Sequence, residues 1–315
     1  MKGIFAAPKD GVPALISVLH RLGLPSGTPF PDVGIPTFID VGANKGLDTI
    51  RILELWAKFG HRQIAAVHPQ FCQSDSAMCH VPRIEVHALE LNPDNAATLR
   101  RTSSELRFGD RVHIHNIGAS DSSGTKVVCT KASKQGSGDE HATLLGDAGN
   151  SAEQGQANAR CIPVNVTSLD DFASSHGLSS LHYVKIDAEG FDARVLLGAT
   201  NLMRQGRIGV LTFECCHLWH LARLPRDAFL PRGTTPRNYS ALTSLVHAAR
   251  LNAYDTYLLS HVQMLRISLD LYTAHELEEF ERCGWCNFAL IRRIPHFQRI
   301  PALFNLNLDI TGCLT

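Results

Sequence analysis

Five apolar runs of strand length, IPTFIDVG, RIEVHALELN, VHIHNIGAS, LHYVKIDAEG and RIGVLTFEC, recur along the chain, with helical patterns after the first, second and fourth. This alternation limits the fold more than any other feature. Leu47, Ile50, Leu53 and Ala57 share one helical face behind the first run. Pro93 sits where a second helix can begin, and Ala96, Ala97, Leu99 and Leu106 continue it. Val195, Ala199, Leu202 and Met203 mark a third helix, behind the fourth run. Strand followed by helix, repeated, implies an α/β fold in which a mostly parallel sheet is covered on both faces.

The rest of the chain departs from that rhythm. Residues 237–252 read as a helix, DTYLLS and CNFALIRRI as two strands, and HELEEFERCGW as a short helix or loop between them. An antiparallel pair at the edge of the parallel sheet fits this tail. Residues 60–83 form a long insertion behind the first helix, and residues 131–159, rich in Gly, Ser, Gln, Asn and Ala, read as a mobile loop. GTKVVCT and RCIPVNV bracket that loop like the stems of a hairpin. Val12, Leu15, Ile16, Leu19 and Leu22 recur at helical spacing near the start. The expected division is therefore a helical extension over 1–35, one domain over 36–295 and a tail over 296–315.

Composition excludes some functions. Thirty basic and 30 acidic residues give zero formal net charge, so no basic footprint for nucleic acid or an anionic membrane surface is expected. No apolar run approaches the roughly 20 residues of a membrane span. Pro8, Lys9, Asp10 and Pro13 interrupt the start too often for a signal peptide, which points to a cytoplasmic protein. Nine cysteines, an odd number, do not read as a secreted disulfide scaffold. Cys283 and Cys286 form a C-x-x-C, which reads as reduced thiols near a strand, with a redox pair or half a zinc site as the alternatives. Cys72, Cys79 and His80 could complete such a site only if the fold brought them there.

The chemistry concentrates where strands end. In FIDVGANKG the first strand finishes at Asp40, and Gly42, Asn44 and Gly46 follow. A dinucleotide site would carry G-x-G-x-x-G. Here the third glycine is missing, and Asp40 would repel a pyrophosphate but suit a cationic ligand. The second run ends in Glu90, within ALELNPDN, where a carboxylate can accept from both ribose hydroxyls of an adenosine. The alternative for Glu90 is an exposed residue capping the helix that starts near Asn92. The third ends in Asn116, Ile117, Gly118 and Ala119, where a glycine leaves room for a base or simply makes a turn. KIDAEGFD, at 185–192, puts Lys185, Asp187 and Glu189 on alternating positions. Three ionisable groups there must pair with one another or bind something. An internal Lys–Asp pair with a helix N-cap is the non-functional alternative. Glu214 closes the fifth run at the same edge, and His217 and His220 follow.

Taken together, FIDVGANKG, ALELNPDNAATL, NIGASDSSG, VNVTSLDDF, YVKIDAEGFDARVLLGA and LTFE resemble the FkbM-type methyltransferases, over roughly residues 37–214. The resemblance implies a Rossmann-like seven-stranded, mostly parallel sheet with an antiparallel final strand. It implies S-adenosylmethionine as cofactor, with Asp40, Gly42, Asn44 and Gly46 bordering the methionine moiety and Glu90 on the ribose. Asn92, Ile117, Gly118 and Asp187 complete the expected cofactor-binding set. Asp187 and Glu189 would flank the acceptor pocket. The expected reaction is methyl transfer to oxygen of a small molecule or sugar, with Asp187, Glu189 or His217, in that order, as base. The leading expectation is that no metal takes part; a Mg²⁺, if one did, would be assigned to Asp187, Glu189 and Glu214. The 131–159 loop could close over the acceptor. The long 60–83 insertion and the segment beyond 215 depart from the family pattern. Two other classes compete: a nicotinamide-dependent oxidoreductase on the same sheet, and a non-catalytic binding protein that keeps the fold.

Overall fold

A computed structural model describes residues 37–53, 84–106, 108–131, 143–144, 159–215, 219, 224–225, 227–231, 239–259, 264–282 and 286–293. The 1–35 extension, the 60–83 insertion, most of the 131–159 loop, the 296–315 tail, and His217, His220 and Cys283 lie outside the described residues.

The larger sheet is built from β1 (Thr37–Val41), β2 (Glu85–Leu89), β3 (Val112–His115), β8 (Leu181–Ile186), β9 (Ile208–Cys215), β10 (Tyr254–Leu259), β11 (Met264–Ile267) and β12 (Cys286–Arg292). Its order is β11-β10-β12-β9-β8-β1-β2-β3. The neighbours from β3 across to β9 pair in parallel. Two parts of the sequence expectation need correction. The sheet has eight strands rather than seven, and antiparallel pairing is not confined to the final strand. β12 runs antiparallel to β9, β10 to β12, and β11 to β10. The extra strand, MLRI, is four residues long, too short for its period to separate strand from loop.

VHIHNIGAS also divides. β3 ends at His115, and Gly118–Ala119 form β4 of a second sheet with β5 (Gly124–Lys131), β6 (Thr143–Leu144) and β7 (Ala159–Thr167), in the order β4-β7-β5-β6. The Asn116 side-chain amide donates to the carbonyls of Glu90 and Leu91, at 2.9 and 3.1 Å, just where the β2–β3 ladder stops. β5 and β7 pair antiparallel from Gly124↔Val166 to Lys131↔Ala159, the hairpin stems read from GTKVVCT and RCIPVNV.

Helices cover both faces of the large sheet. They are α1 (residues 47–53), α2 (Pro93–Glu105), α3 (Leu169–Ser175), α4 (Asp192–Leu197), α5 (Thr200–Arg204), α6 (Ala241–Leu251) and α7 (Ala274–Arg282). Ile39, Val41, Val184 and Ile186 point into one core with Phe172, Leu196 and Leu245. Phe38, Tyr183 and Val210 point into the other with Ile52 and Leu53 of α1. Every residue of β1 and β8 is buried, as strands covered on both faces must be. The antiparallel edge is held by the same means. Phe213 and Phe288 are register partners on β9 and β12, and their rings stack 5.5 Å apart. Cys286 opens β12 opposite Cys215. Among the described residues no helix is long and apolar enough to cross a membrane.

Candidate functional site

The chain runs outward from β1 through β2 to β3, then places β8 and β9 on the other flank of β1. Strand order therefore reverses between β1 and β8. In an open α/β sheet, the crevice outside the carboxyl ends at such a point is where ligands bind.

The β1 exit loop is shaped by that position. Gly42, Asn44 and Gly46 all have positive φ, at 72°, 51° and 91°. A side chain on Gly42 would sit 1.8 Å from the Asp187 carbonyl oxygen, so glycine here lets the β1 and β8 exits touch. The Asn44 N–H donates to Glu90 Oε2 at 2.6 Å, and the Asn92 N–H donates to Oε1 of the same carboxylate at 2.8 Å. Glu90 thus ties the β1 loop to the β2 loop. It is 6% exposed, which rules out the exposed cap considered from sequence. Burial raises its pKa, although the two N–H donors pull the other way. Asn44 Oδ1 is buried with no hydrogen-bond partner among the described residues. This is an acceptor lacking a donor, and burying it so is costly unless something fills the need.

Below the loop lies an ion cluster. Lys185 Nζ is 3.4 Å from Asp40, 3.0 Å from Asp48 and 3.3 Å from Asp187. Burial alone would lower the pKa of Lys185, but Asp40, Asp187 and Asp48 together hold it well above the ordinary lysine value. Asp40 is 0% exposed and accepts from Thr49 Oγ1 at 2.6 Å. Its carboxylate therefore faces the lysine and α1, and its Oδ1 is buried with no hydrogen-bond partner among the described residues. The internal Lys–Asp pair, considered from sequence as the non-functional alternative, is present. Asp48 and Thr49 were missed by sequence reasoning. Their signal was an acid and a hydroxyl in the first turn after a glycine loop.

On the β8 and β9 side four carboxylates gather. The strand ends at Ile186, so Glu189 does not continue the alternation of Lys185 and Asp187; it sits in a turn with φ 50°, before Gly190 at 93°. Non-glycine residues held at positive φ cluster at functional sites. The Asp187 side chain is 41% exposed, the most open of the Lys185 partners. Asp192, the last residue of KIDAEGFD, is fully buried and was also missed. It accepts from the N–H groups of Ala188 and Glu214, at 3.2 and 3.0 Å, and so fastens the β8 turn to β9. Burial, then the charge of Asp187, lifts its pKa to about 8. Burial, then Asp187 and Asp192, lifts Glu214 to about 9. Asp187, Glu189 and Glu214 are not gathered as a trio of metal ligands among the described residues, so the set named for Mg²⁺ does not fit.

Four more residues of the expected cofactor set have roles in packing or helix capping. A side chain on Gly46 would meet Leu99 Cδ1 at 2.0 Å, so this glycine admits α2 against the loop. Gly118 lies in β4, and its missing Cβ is covered by Val166 and Leu91, at 3.2 and 3.4 Å, rather than left open for an adenine. Asn92 spends its side-chain oxygen capping α2, accepting from Asp94 and Asn95. Ile117 is partly buried against the main core. His217 lies outside the described residues.

Residues 40–230 match the model of the Methyltransferase FkbM domain family. No curated protein sequence matches the chain. Among solved structures, a methyltransferase FkbM from Methylobacillus flagellatus matches at 13% identity and TM-score 0.39, over 87% of this chain and 50% of that one. The chain thus spans half the length of that protein. A precorrin-6y C5,15-methyltransferase from Geobacter metallireducens matches at 10% identity and TM-score 0.35, over 92% and 94% of the two chains. Magnesium protoporphyrin IX methyltransferase from Synechocystis, with S-adenosylhomocysteine bound, matches at 9% identity and TM-score 0.33, over 90% and 82%.

Proposed function

Because the chain belongs to the FkbM methyltransferase domain family, we propose that it transfers a methyl group from S-adenosylmethionine to a hydroxyl of a small molecule or sugar. The observation that carries this reading is the switch point itself. There a left-handed glycine loop meets the β8 exit, and Asn44 buries a hydrogen-bond acceptor that lacks a donor. A ligand bearing an ammonium group would supply that donor.

S-adenosylmethionine, when bound, supplies a methyl carbon already activated for displacement. The residues of the chain have the remaining tasks of alignment and exclusion of water. Asn44 and the backbone at Gly42 would border the methionine end. Glu90 would take the ribose, because its carboxylate, which accepts from the Asn44 and Asn92 N–H groups and the Asn95 side chain, has about four acceptor positions and keeps one for a hydroxyl. Asp187 is open to solvent beside the turn and is the group to take the acceptor proton. Glu214, with its pKa at about 9, carries its own proton at neutral pH; it acts there as a hydrogen-bond donor and not as a base.

Isothermal titration with S-adenosylhomocysteine tests the cofactor. Saturable binding is expected, weakened in Glu90→Ala and in Asn44→Ala. No binding up to about 1 mM would overturn the proposal. Turnover of methyl-labelled donor over a panel of alcohols and sugars tests the reaction. Asp187→Asn should lower kcat while donor binding persists.

A further inference from the structure

Glu85 opens β2 and Glu90 follows its last residue, so the two lie at opposite ends of one strand, about 16 Å apart at 3.3 Å per residue. A second cluster runs from Glu85 along β2 and β3. Glu85 and His87 alternate on β2, His113 and His115 alternate on β3, and His87 and His113 are register partners. All four therefore stand on one face of the sheet, at its β3 edge. The His87 ring stacks against those of His113 and His115, with centroids 4.8 and 5.4 Å away. Phe172 and His176, at the end of α3, meet the His87 ring from above at 5.6 and 5.7 Å.

Two observations point to a ligand. The ligand atoms of Glu85, His87 and His113 lie within 4.8 Å of one another. His87 is 5% exposed, and its Nε2 is buried with no hydrogen-bond partner among the described residues. Its other nitrogen, Nδ1, is 3.2 Å from His115 Nε2. If Nδ1 carries the hydrogen in that bond, Nε2 holds a lone pair directed at no donor among the described residues. That is the arrangement of a metal-binding imidazole, whose second nitrogen is anchored by an outer hydrogen bond.

We propose that Glu85, His87 and His113 bind one divalent transition-metal ion of the zinc class, through His87 Nε2, an imidazole nitrogen of His113 and a carboxylate oxygen of Glu85. Two imidazoles and a carboxylate are a set zinc accepts, with water in the fourth position. Bonds of about 2.0–2.2 Å bring ligand atoms to roughly 3.4 Å from one another. Side-chain rotation at the half-buried Glu85 and His113 closes the difference. The ion clamps the edge strand β3 to β2, behind the strand ends that form the donor site.

The test is titration of the chelator-treated full chain with Co²⁺ and Zn²⁺. Co²⁺ should give visible d–d absorption without the intense near-ultraviolet band of thiolate coordination, and Zn²⁺ should raise the melting temperature. Glu85→Gln and His113→Ala should each weaken binding by at least about 10-fold. The proposal is overturned by a thiolate band, by the absence of a Co²⁺ spectrum, or by a spectrum and affinity that survive in both variants.

Discussion

Asp40 and Lys185 face each other across β1 and β8 as register partners, with their charged atoms 3.4 Å apart. The two strands are those between which strand order reverses, so one buried ion pair underlies the floor of the candidate site. The Asp40 and Lys185 charges join the strands that make the crevice.

Lys185→Met removes the cation and leaves Asp40, at 0% exposure, with Thr49 as its remaining hydrogen-bond donor among the described residues. Breaking a buried pair from one side costs about 3–5 kcal/mol. Urea denaturation should show a loss of that size, largely recovered in the double variant Asp40→Asn/Lys185→Met. A single variant that is as stable as wild type would mean that the pair does not hold the strands.

Gly42 and Gly177 both have positive φ, yet their substitutions should differ. A Cβ at Gly42 would fall 1.8 Å from backbone, whereas one at Gly177 meets nothing within 4 Å. Gly177→Ala pays only left-handed strain, about 1–2 kcal/mol. Gly42→Ala must also part β1 from β8, and should cost clearly more in thermal unfolding while abolishing S-adenosylhomocysteine binding. Equal losses in the two variants would remove the close-contact role given to Gly42.

Stability should fall as pH rises. Glu214 has its pKa at about 9 in the folded chain against an ordinary 4.5, and Asp192 at about 8 against 3.8. Between those limits the folded state holds protons that the unfolded chain has released. The favourable contribution is thus complete below the ordinary value and lost as pH climbs through the raised one. Glu214→Gln deletes its share, which is no steeper than about 1.4 kcal/mol per pH unit. Guanidinium midpoints at pH 6 and pH 9 should shift in favour of the variant at the higher pH. Parallel behaviour would show Glu214 already ionised at neutral pH, and its role as a donor would fall.

Asp170 links two helices. From α3 its carboxylate accepts from the N–H groups of Asn201 and Leu202, at 3.0 and 2.8 Å, in the first turn of α5. Asp170→Ala strands both donors and should cost about 1–3 kcal/mol. Asp170→Asn keeps one oxygen and should lose less. Chemical denaturation of the pair checks the order, and the reverse order would assign the effect to packing.

The parallel strands were legible because β1, β8 and β9 are near-continuous apolar runs, a pattern that burial on both faces demands. The hairpin of β5 and β7 was legible from its stems. β11 was not, because four residues carry no usable period. At the site, sequence marked the strand ends correctly but not what their side chains do. The contacts that Asp40 makes with Lys185, Glu90 with the Asn44 and Asn92 N–H groups, and Gly46 with Leu99 were not legible, because a strand tip with an acid or a glycine looks the same in sequence whatever it meets.

The local sequence by itself determined the alternation of elements, the left-handed loop at Gly42–Gly46 and the acids of KIDAEGFD. Each follows from backbone preference or hydrophobic period within a few residues. Only the tertiary structure decided that Lys185 neutralises Asp40, that Asp192 fastens the turn to β9, and that His87 meets His113. Those pairings join residues far apart in the chain, and the strand order that brings them together is set by how the whole sheet packs.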